Sequence, residues 1–292
     1  MSGPFDLADP DAYRDWRARK LDAYPSDAEQ LRVEIAHPQA LTKGELGRIK
    51  VLVAKTGMAL LACMEPQTMG KSVLLRFGRR LGLKRLDNNL CADERAVSTL
   101  TVRSAGRASE YVPYTNRPLS WHTDGYYNAP DAQVRAWMLY CLQDSLKGGD
   151  NALLDHEIAY IRLRDQDPAL VRALMDPQAL TIPANLEHGV ELRRTSTGPV
   201  YSVHQGRLHM RYSARTRNVE WQQTPEIQAA RDALGRLFSS NDVYIFRHKL
   251  APGEGYVSNN VLHNRSGFAE PDGDGPKRTL LRIRYLDRVA SR

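Results

Sequence analysis

Trp121-His122-Thr123-Asp124-Gly125 is the stretch on which the reading of this chain turns. It stands between two turn-rich segments, Asn116-Arg117-Pro118 before it and Tyr126-Tyr127-Asn128-Ala129-Pro130 after it, and so reads as a strand ending in a loop. On extended backbone, residues i and i+2 point to the same face. His122 and Asp124 can therefore offer an imidazole nitrogen and a carboxylate oxygen to one metal ion. A His-x-Asp pair by itself is common by chance, so a third donor has to come from elsewhere in the chain.

His263 is the candidate, in Val257-Ser258-Asn259-Asn260-Val261-Leu262-His263-Asn264-Arg265, which follows the tight-turn composition Pro252-Gly253-Glu254-Gly255. Two histidines and one carboxylate on one face form the facial triad of non-haem iron sites, which leaves three metal positions open. Shortly afterwards comes Arg278-Thr279-Leu280-Leu281-Arg282-Ile283-Arg284-Tyr285, where alternation puts Arg278, Arg282 and Arg284 on one strand face. An inward arginine can hold a carboxylate through two parallel hydrogen bonds, whereas an outward set would be an ordinary basic strand face. Asn259 and Asn260 read as polar residues of a turn or strand end.

Around these motifs the chain has an ordinary globular composition: 292 residues, 42% apolar and 26% charged, with a net charge of +7. The best apolar run, Val51 to Met64, is too short for a membrane span and carries Lys55. The acidic, polar start MSGPFDLADPDAYRDW is unlike a secretory signal, which gives a cytoplasmic expectation. Cys63, Cys91 and Cys141 are odd in number and widely spaced, and read as reduced packing residues. The basic residues are interleaved with acids, which argues against nucleic acid as a partner. One cluster, Lys71 to Lys84, fits an amphipathic helix docking Val73, Leu74, Leu75 and Leu81 into a core.

Residues 1–97 read as a helical elaboration with helices near 12–21 and 41–54, the latter capped by Thr42, and one buried strand at 58–64. From residue 98 the pattern becomes short strands near 100–103, 134–142, 152–155, 179–183, 200–203, 208–212, 243–249, 255–260 and 279–287. Helices interrupt them near 157–164, 169–175 and 225–238. With no repeat and no linker, the reading is one domain over 1–292, mainly β with inserted helices, of sandwich or jelly-roll type. Tyr126, Tyr127 and Asn128 leave the Asp124 turn while Tyr114, Asn116 and Arg117 enter it, so either set is placed to line a site. Trp121 reads as a core aromatic, His204, His209 and His248 as structural, and Asp272-Gly273-Asp274-Gly275 as a turn rather than a calcium loop.

The order His122-x-Asp124, Gly148-Gly149-Asp150-Asn151, His263 and Arg278 to Arg282 resembles the taurine dioxygenase-like (TauD/TfdA) family of Fe(II)- and 2-oxoglutarate-dependent dioxygenases. The resemblance spans about residues 113–287 and is similar in detail to the glutarate hydroxylase relatives. It implies a double-stranded β-helix core in which His122, Asp124 and His263 hold Fe(II). Arg278 would bind the distal carboxylate of 2-oxoglutarate, assisted by Asn151 where the family often has threonine, and Arg282 would contact cosubstrate or an anionic substrate group. Asn151 can do so because an amide still donates to a carboxylate. The loop 269–277 makes the spacing from His263 to Arg278 longer than usual. Tyr126, Tyr127, Asn128 and Arg284 are the substrate-side candidates.

The implied reaction uses O2 and 2-oxoglutarate to hydroxylate a C–H of a small carboxylate or amino-acid-like molecule, releasing succinate and CO2. Desaturation and cleavage stay open, while Asp124 at the carboxylate position argues against halogenation. Two other readings use the same fold. One is a zinc or other divalent-metal isomerase or hydrolase, which needs no Arg278. The other is a catalytically silent module binding an acidic polymer through Lys71 to Lys84. A homo-oligomer is compatible with all three.

Overall fold

A computed structural model describes residues 3–88, 93, 96–106, 109, 111–187, 189–273 and 275–290. Cys91 and Asp274 lie outside the described residues. Two sheets share one interior. The larger has six strands in the order Arg32–Ile35, Met58–Cys63, Glu254–Ser258, Ala136–Gln143, Thr279–Tyr285 and Val97–Leu100. The smaller has four, in the order Phe246–His248, Asn151–Leu154, Leu262–Arg265 and Leu119–His122. Only the first pair of the large sheet is parallel. This is the expected double-stranded β-helix, with helices added at the front and between strands.

Alternation decides which way each side chain of the large sheet faces. Trp137 and Cys141 of Ala136–Gln143, and Leu280 of Thr279–Tyr285, belong to the interior cluster together with Leu154 and Leu262 of the small sheet. Their neighbours Ala136, Met138, Tyr140, Leu281, Ile283 and Tyr285 face the other way. That outer face is covered by two helices, which we call α2 (Lys43–Thr56) and α3 (Lys71–Arg80), after α1 (Pro10–Leu21). Helix α2 starts where Thr42 Oγ1 accepts from Glu45 N at 3.1 Å while the Glu45 carboxylate accepts from Thr42 N at 2.7 Å, a reciprocal cap. It stops at Gly57, whose φ of 75° favours glycine and where a Cβ would lie 2.6 Å from Val261 Cγ1. The basic helix α3 docks Val73, Leu74 and Phe77, with Leu75 half-buried, so its apolar face is explained by packing.

The first third differs from the expected single strand. Arg32–Ile35 also pairs, in parallel with Met58–Cys63, and α2 is the crossover between them. Four residues of Arg-Val-Glu-Ile alternation are too short to stand out in sequence, and the pairing is supplied by the neighbouring strand. The elaboration therefore extends the large sheet. Residues 180–221 depart too, forming small ladders outside both main sheets, among them the hairpin Asn185–Glu187 with Val190–Arg193. The expected helices appear as α4 (His156–Gln166), α5 (Pro168–Leu174) and α6 (Pro225–Phe238).

Both described thiols behave as packing groups: burial pushes Cys63 up to about 11 and Cys141 up to about 12, so neither is a thiolate at neutral pH. His248 bonds Glu254 at 2.6 Å and Trp121 stacks on Phe238 at 5.1 Å, both structural as expected. Among the described residues no helix is long and apolar enough to cross a membrane.

Helix α1 is tied to the core by a buried cation. Lys20 Nζ lies 2.6 Å from both Asp155 and Glu157 at the start of α4 and donates to Lys55 O at 2.7 Å. Removing it strands two carboxylates in a dry site. Lys20→Ala should lower unfolding free energy by about 3–5 kcal/mol, read from urea denaturation; a loss within the surface range of about 1 kcal/mol would show that water reaches the pair.

Candidate functional site

Strand Leu262–Arg265 runs antiparallel to Leu119–His122 with His263 directly opposite His122. The two imidazoles therefore sit side by side, ring centroids 4.2 Å apart. Each ring is set the same way: His122 Nδ1 lies 2.9 Å from Ser120 O and His263 Nδ1 lies 3.0 Å from Val261 O. An Nδ1–H donated to a carbonyl leaves the Nε2 lone pair free, which is the tautomer a metal ligand needs. Burial, then the neighbouring His122, push His263 down to about 3, so it is neutral at physiological pH.

Asp124 completes the group. One donor atom from each of His122, Asp124 and His263 lies within 4.8 Å of the other two. His122 Nε2 is 3.7 Å from Asp124 Oδ1, and Asp124 is almost fully buried. Burial alone would raise its carboxyl, but Arg282 at 3.5 Å and the histidines hold it well below the usual carboxylate range. It is an anion at any working pH. Its second oxygen, Oδ2, is buried and has no hydrogen-bond partner.

The Asp124 turn is positioned by Asn260, which sequence reasoning assigned to a turn. Asn260 Oδ1 accepts from Asp124 N at 2.8 Å, while its Nδ2 donates to Asp124 O at 2.9 Å and Val134 O at 2.7 Å. Asn260 itself sits at φ 61°, a region asparagine tolerates. Gly125 follows at φ 66°, where a Cβ would lie 2.4 Å from Val134 Cγ2. The only signal for this brace was an Asn-Asn pair ending a strand three residues before His263.

A cavity of about 450 Å³ opens on His122 and Asp124. Tyr126, Tyr127 and Asn128 line it as proposed, with Tyr114, but Asn116 and Arg117 do not. Four arginines face it: Arg282 and Arg284 from the last strand, and Arg193 and Arg215, which sequence reasoning missed. Arg284 is buried, pairs with Asp87 and donates to Tyr127 Oη at 2.7 Å. Arg282 is thus beside Asp124, on the cavity side of the metal group.

Residues 18–284 match the family model described as "Taurine catabolism dioxygenase TauD, TfdA family". The chain belongs to the TauD/TfdA family. A uridine-5'-phosphate dioxygenase from an Amycolatopsis species is 30% identical over 174 residues, 57% of this chain; the chain spans 60% of that relative's length. Among solved structures, asparagine oxygenase in complex with Fe(II), 2S,3S-3-hydroxyasparagine and succinate superposes with a TM-score of 0.57 at 15% identity, covering 97% of this chain and 92% of that one. The non-heme iron oxygenase OrfP in complex with Fe, succinate and (3S)-hydroxy-L-Arg gives 0.61 at 16% identity, covering 86% and 82%. These last two likenesses establish the fold.

TauD/TfdA proteins are non-haem iron oxygenases whose cofactor set is Fe(II), 2-oxoglutarate and O2, and the residues here fit that set. Two histidines that each have Nδ1 against a backbone carbonyl, and one carboxylate with a free buried oxygen, suit a divalent iron. Outside the lining of the cavity stand three further polar groups with bonding capacity to spare among the described residues. Trp137 Nε1 is buried and unbonded, its ring 4.8 Å from that of His263. Asn151 Oδ1 is buried and unbonded, an acceptor that calls for a donor, so it is the amide Nδ2 of this residue that could meet a carboxylate. Arg278 is buried, its guanidinium over the Phe268 ring at 4.8 Å, with no carboxylate within ion-pair distance among the described residues. Burial lowers its pKa, as expected of a cation awaiting an anion. Gly149, at φ 82°, keeps the space clear: a Cβ there would stand 3.4 Å from Arg278 Nε and 2.7 Å from Ser145 Oγ. Each orphaned group costs about 1–3 kcal/mol unless a ligand satisfies it.

Asn260→Ala should therefore leave the fold intact and weaken iron binding by about 10–100-fold, as loss of an orienting partner does. Anaerobic Fe(II) titration checks this; unchanged affinity would mean that the strand register alone sets Asp124.

Proposed function

We propose that this protein is an Fe(II)- and 2-oxoglutarate-dependent dioxygenase that hydroxylates a C–H bond of a small anionic substrate, with release of succinate and CO2. The observation that carries the reading is the juxtaposition of the His122, Asp124 and His263 donors with an arginine-lined cavity, together with the unpaired Arg278 outside its lining. Bound iron, with 2-oxoglutarate and O2, supplies the oxidising power for C–H cleavage. The chain's own residues do the rest. His122, Asp124 and His263 hold the metal on one face and leave the other open. Arg278 and Asn151 anchor the distal carboxylate of 2-oxoglutarate, the guanidinium by charge-assisted hydrogen bonds and the amide by a single one. Arg282 keeps Asp124 ionised and faces the cavity, where it also meets an anionic substrate group.

The carboxylate inventory of the cavity narrows the substrate. Among the described lining residues only Asp87 and Asp124 are acidic, and both already face arginines. An α-ammonium would find no free carboxylate, so an anion without one fits better than a free amino acid. The named relatives act, by their names or bound products, on a uridine phosphate, asparagine and arginine; the first suits this cavity best. A zinc hydrolase or isomerase would leave Arg278 buried without a counter-ion, and a silent binding module would have no use for a paired-histidine site.

Adding 2-oxoglutarate to anaerobic Fe(II)-loaded protein should produce the weak visible charge-transfer band of chelation. His122→Ala should abolish it, and Arg278→Ala should raise the 2-oxoglutarate concentration needed by about 10–100-fold, equivalent to about 1.4–2.8 kcal/mol. No band in folded, iron-loaded protein would overturn the dioxygenase reading.

A further inference from the structure

The arginines of the cavity are not equivalent. Arg211, just beneath, is spent on the scaffold: it donates to the carbonyls of Tyr126, Leu180 and Ser196 at 2.8, 2.9 and 2.6 Å, joining the Asp124 loop to the inserted ladders. Arg284 is balanced by Asp87, and Arg282 by Asp124. Arg193 has neither kind of employment. Among the described residues its side chain makes one hydrogen bond, from Nη2 to Pro183 O at 2.7 Å, its Nε is buried with no partner, and no carboxylate lies within ion-pair distance.

Its position is built rather than incidental. Arg193 ends the second strand of the hairpin Asn185–Glu187 and Val190–Arg193, and the pairing skips a residue between Glu191 and Arg193. Such a bulge turns side chains that alternation would send to opposite faces, and here Leu192 and Arg193 both line the cavity. The guanidinium rests over the ring of Tyr127 at 5.2 Å, with Arg284 over the same ring at 5.6 Å. Tyr126 packs edge-on against Tyr127 at 5.2 Å, and the exposed Arg215 reaches Tyr126 Oη at 3.5 Å. The aromatic rings thus hold Arg193 in place through its face, and its Nη2 is the one edge donor matched within the described residues.

We propose that Arg193 is the specificity-determining residue of this enzyme, and that it binds a terminal anionic group of the substrate, a phosphate monoester or a carboxylate, at the cavity wall formed by the inserted hairpin. The proposal rests on the dioxygenase reading and deepens it by naming the group recognised. A half-buried guanidinium with no carboxylate within ion-pair distance among the described residues is costly, and burial lowers its pKa accordingly. A planar fork of donors is also what bidentate recognition of phosphate or carboxylate requires. With Arg215 alongside, the wall favours a group of two or more negative oxygens over a neutral one.

The test is equilibrium binding to the anaerobic Fe(II) protein saturated with 2-oxoglutarate, by calorimetry, with three probes. Uridine 5′-monophosphate carries a phosphate monoester, glutarate a terminal carboxylate, and uridine no anion. Wild type should bind at least one of the two anions more tightly than uridine, and which one binds identifies the group. Arg193→Gln should weaken that anion by about 10–100-fold and leave uridine unchanged, while Arg193→Lys, which keeps the charge but not the planar fork, should restore only part of the loss. The 2-oxoglutarate charge-transfer band should be the same in wild type and Arg193→Gln, which separates a failed anion contact from a failed cofactor site. If a probe is turned over, the substitution should act on KM more than on kcat. Equal anion binding by wild type and Arg193→Gln, or failure of wild type to bind either anion, would overturn the proposal. Absence of the band in wild type would instead strike the dioxygenase reading, and the binding comparison would still decide the role of Arg193.

Discussion

The site depends on one piece of strand register. His263 stands opposite His122 because Leu262–Arg265 pairs with Leu119–His122 in the register that also sets Arg265 opposite Leu119. A slip of one position would turn one imidazole to the opposite face and leave two donors where three are needed. Two constraints guard the register. Asn151–Leu154 holds the far edge of Leu262–Arg265 through four paired residues. Asn260 clamps the Asp124 backbone from the other side, using an oxygen and a nitrogen that both find partners. The donor atoms are thus placed by main-chain hydrogen bonds and do not need a metal to gather them.

Around that register the interior is organised by charge as much as by packing. Six buried or half-buried arginines, Arg193, Arg211, Arg265, Arg278, Arg282 and Arg284, converge on the β-helix and its insert, and they fall into three groups. Arg211 and Arg265 donate to backbone carbonyls and act as struts; burial pulls Arg211 down to about 10, and burial with Arg278 nearby pulls Arg265 down to about 9. Arg282 and Arg284 are balanced by Asp124 and Asp87. Arg278 and Arg193 remain without a carboxylate in ion-pair distance among the described residues, Arg193 in the cavity wall and Arg278 outside its lining. A buried guanidinium is tolerated when satisfied and costly when not, so the imbalance marks where anionic ligands belong.

The remainder of the chain explains why this interior can exist. The large sheet is apolar on both faces, and only one face belongs to the β-helix. Helices α2 and α3 cover the other with Ile49, Val53, Val73, Leu74 and Phe77. The crossover that brings α2 there also adds Arg32–Ile35 to the sheet, so the first third is part of the wall behind the site. The inserted ladders between residues 180 and 221 do the corresponding work at the cavity, carrying Ile182, Leu192 and Arg193 to its rim.

Much of this was legible in order and spacing. His-x-Asp on extended backbone, a later histidine and an arginine-rich final strand determine by themselves a metal arm, a third donor and an inward row of cations, because strand geometry has period two. Thr42 as a capping residue likewise determined where α2 begins. Tertiary structure decided the rest. No local rule places Asn260 against Asp124, since that pairing joins residues 136 apart in sequence. Nor does local pattern show that Arg282 is neutralised by a ligand carboxylate while Arg278 is not, because both sit at the same parity of one strand. The role of Arg193 was invisible for the same reason: its hairpin alternates weakly, its aim comes from a bulge, and the lack of a counter-ion is a property of everything folded around it.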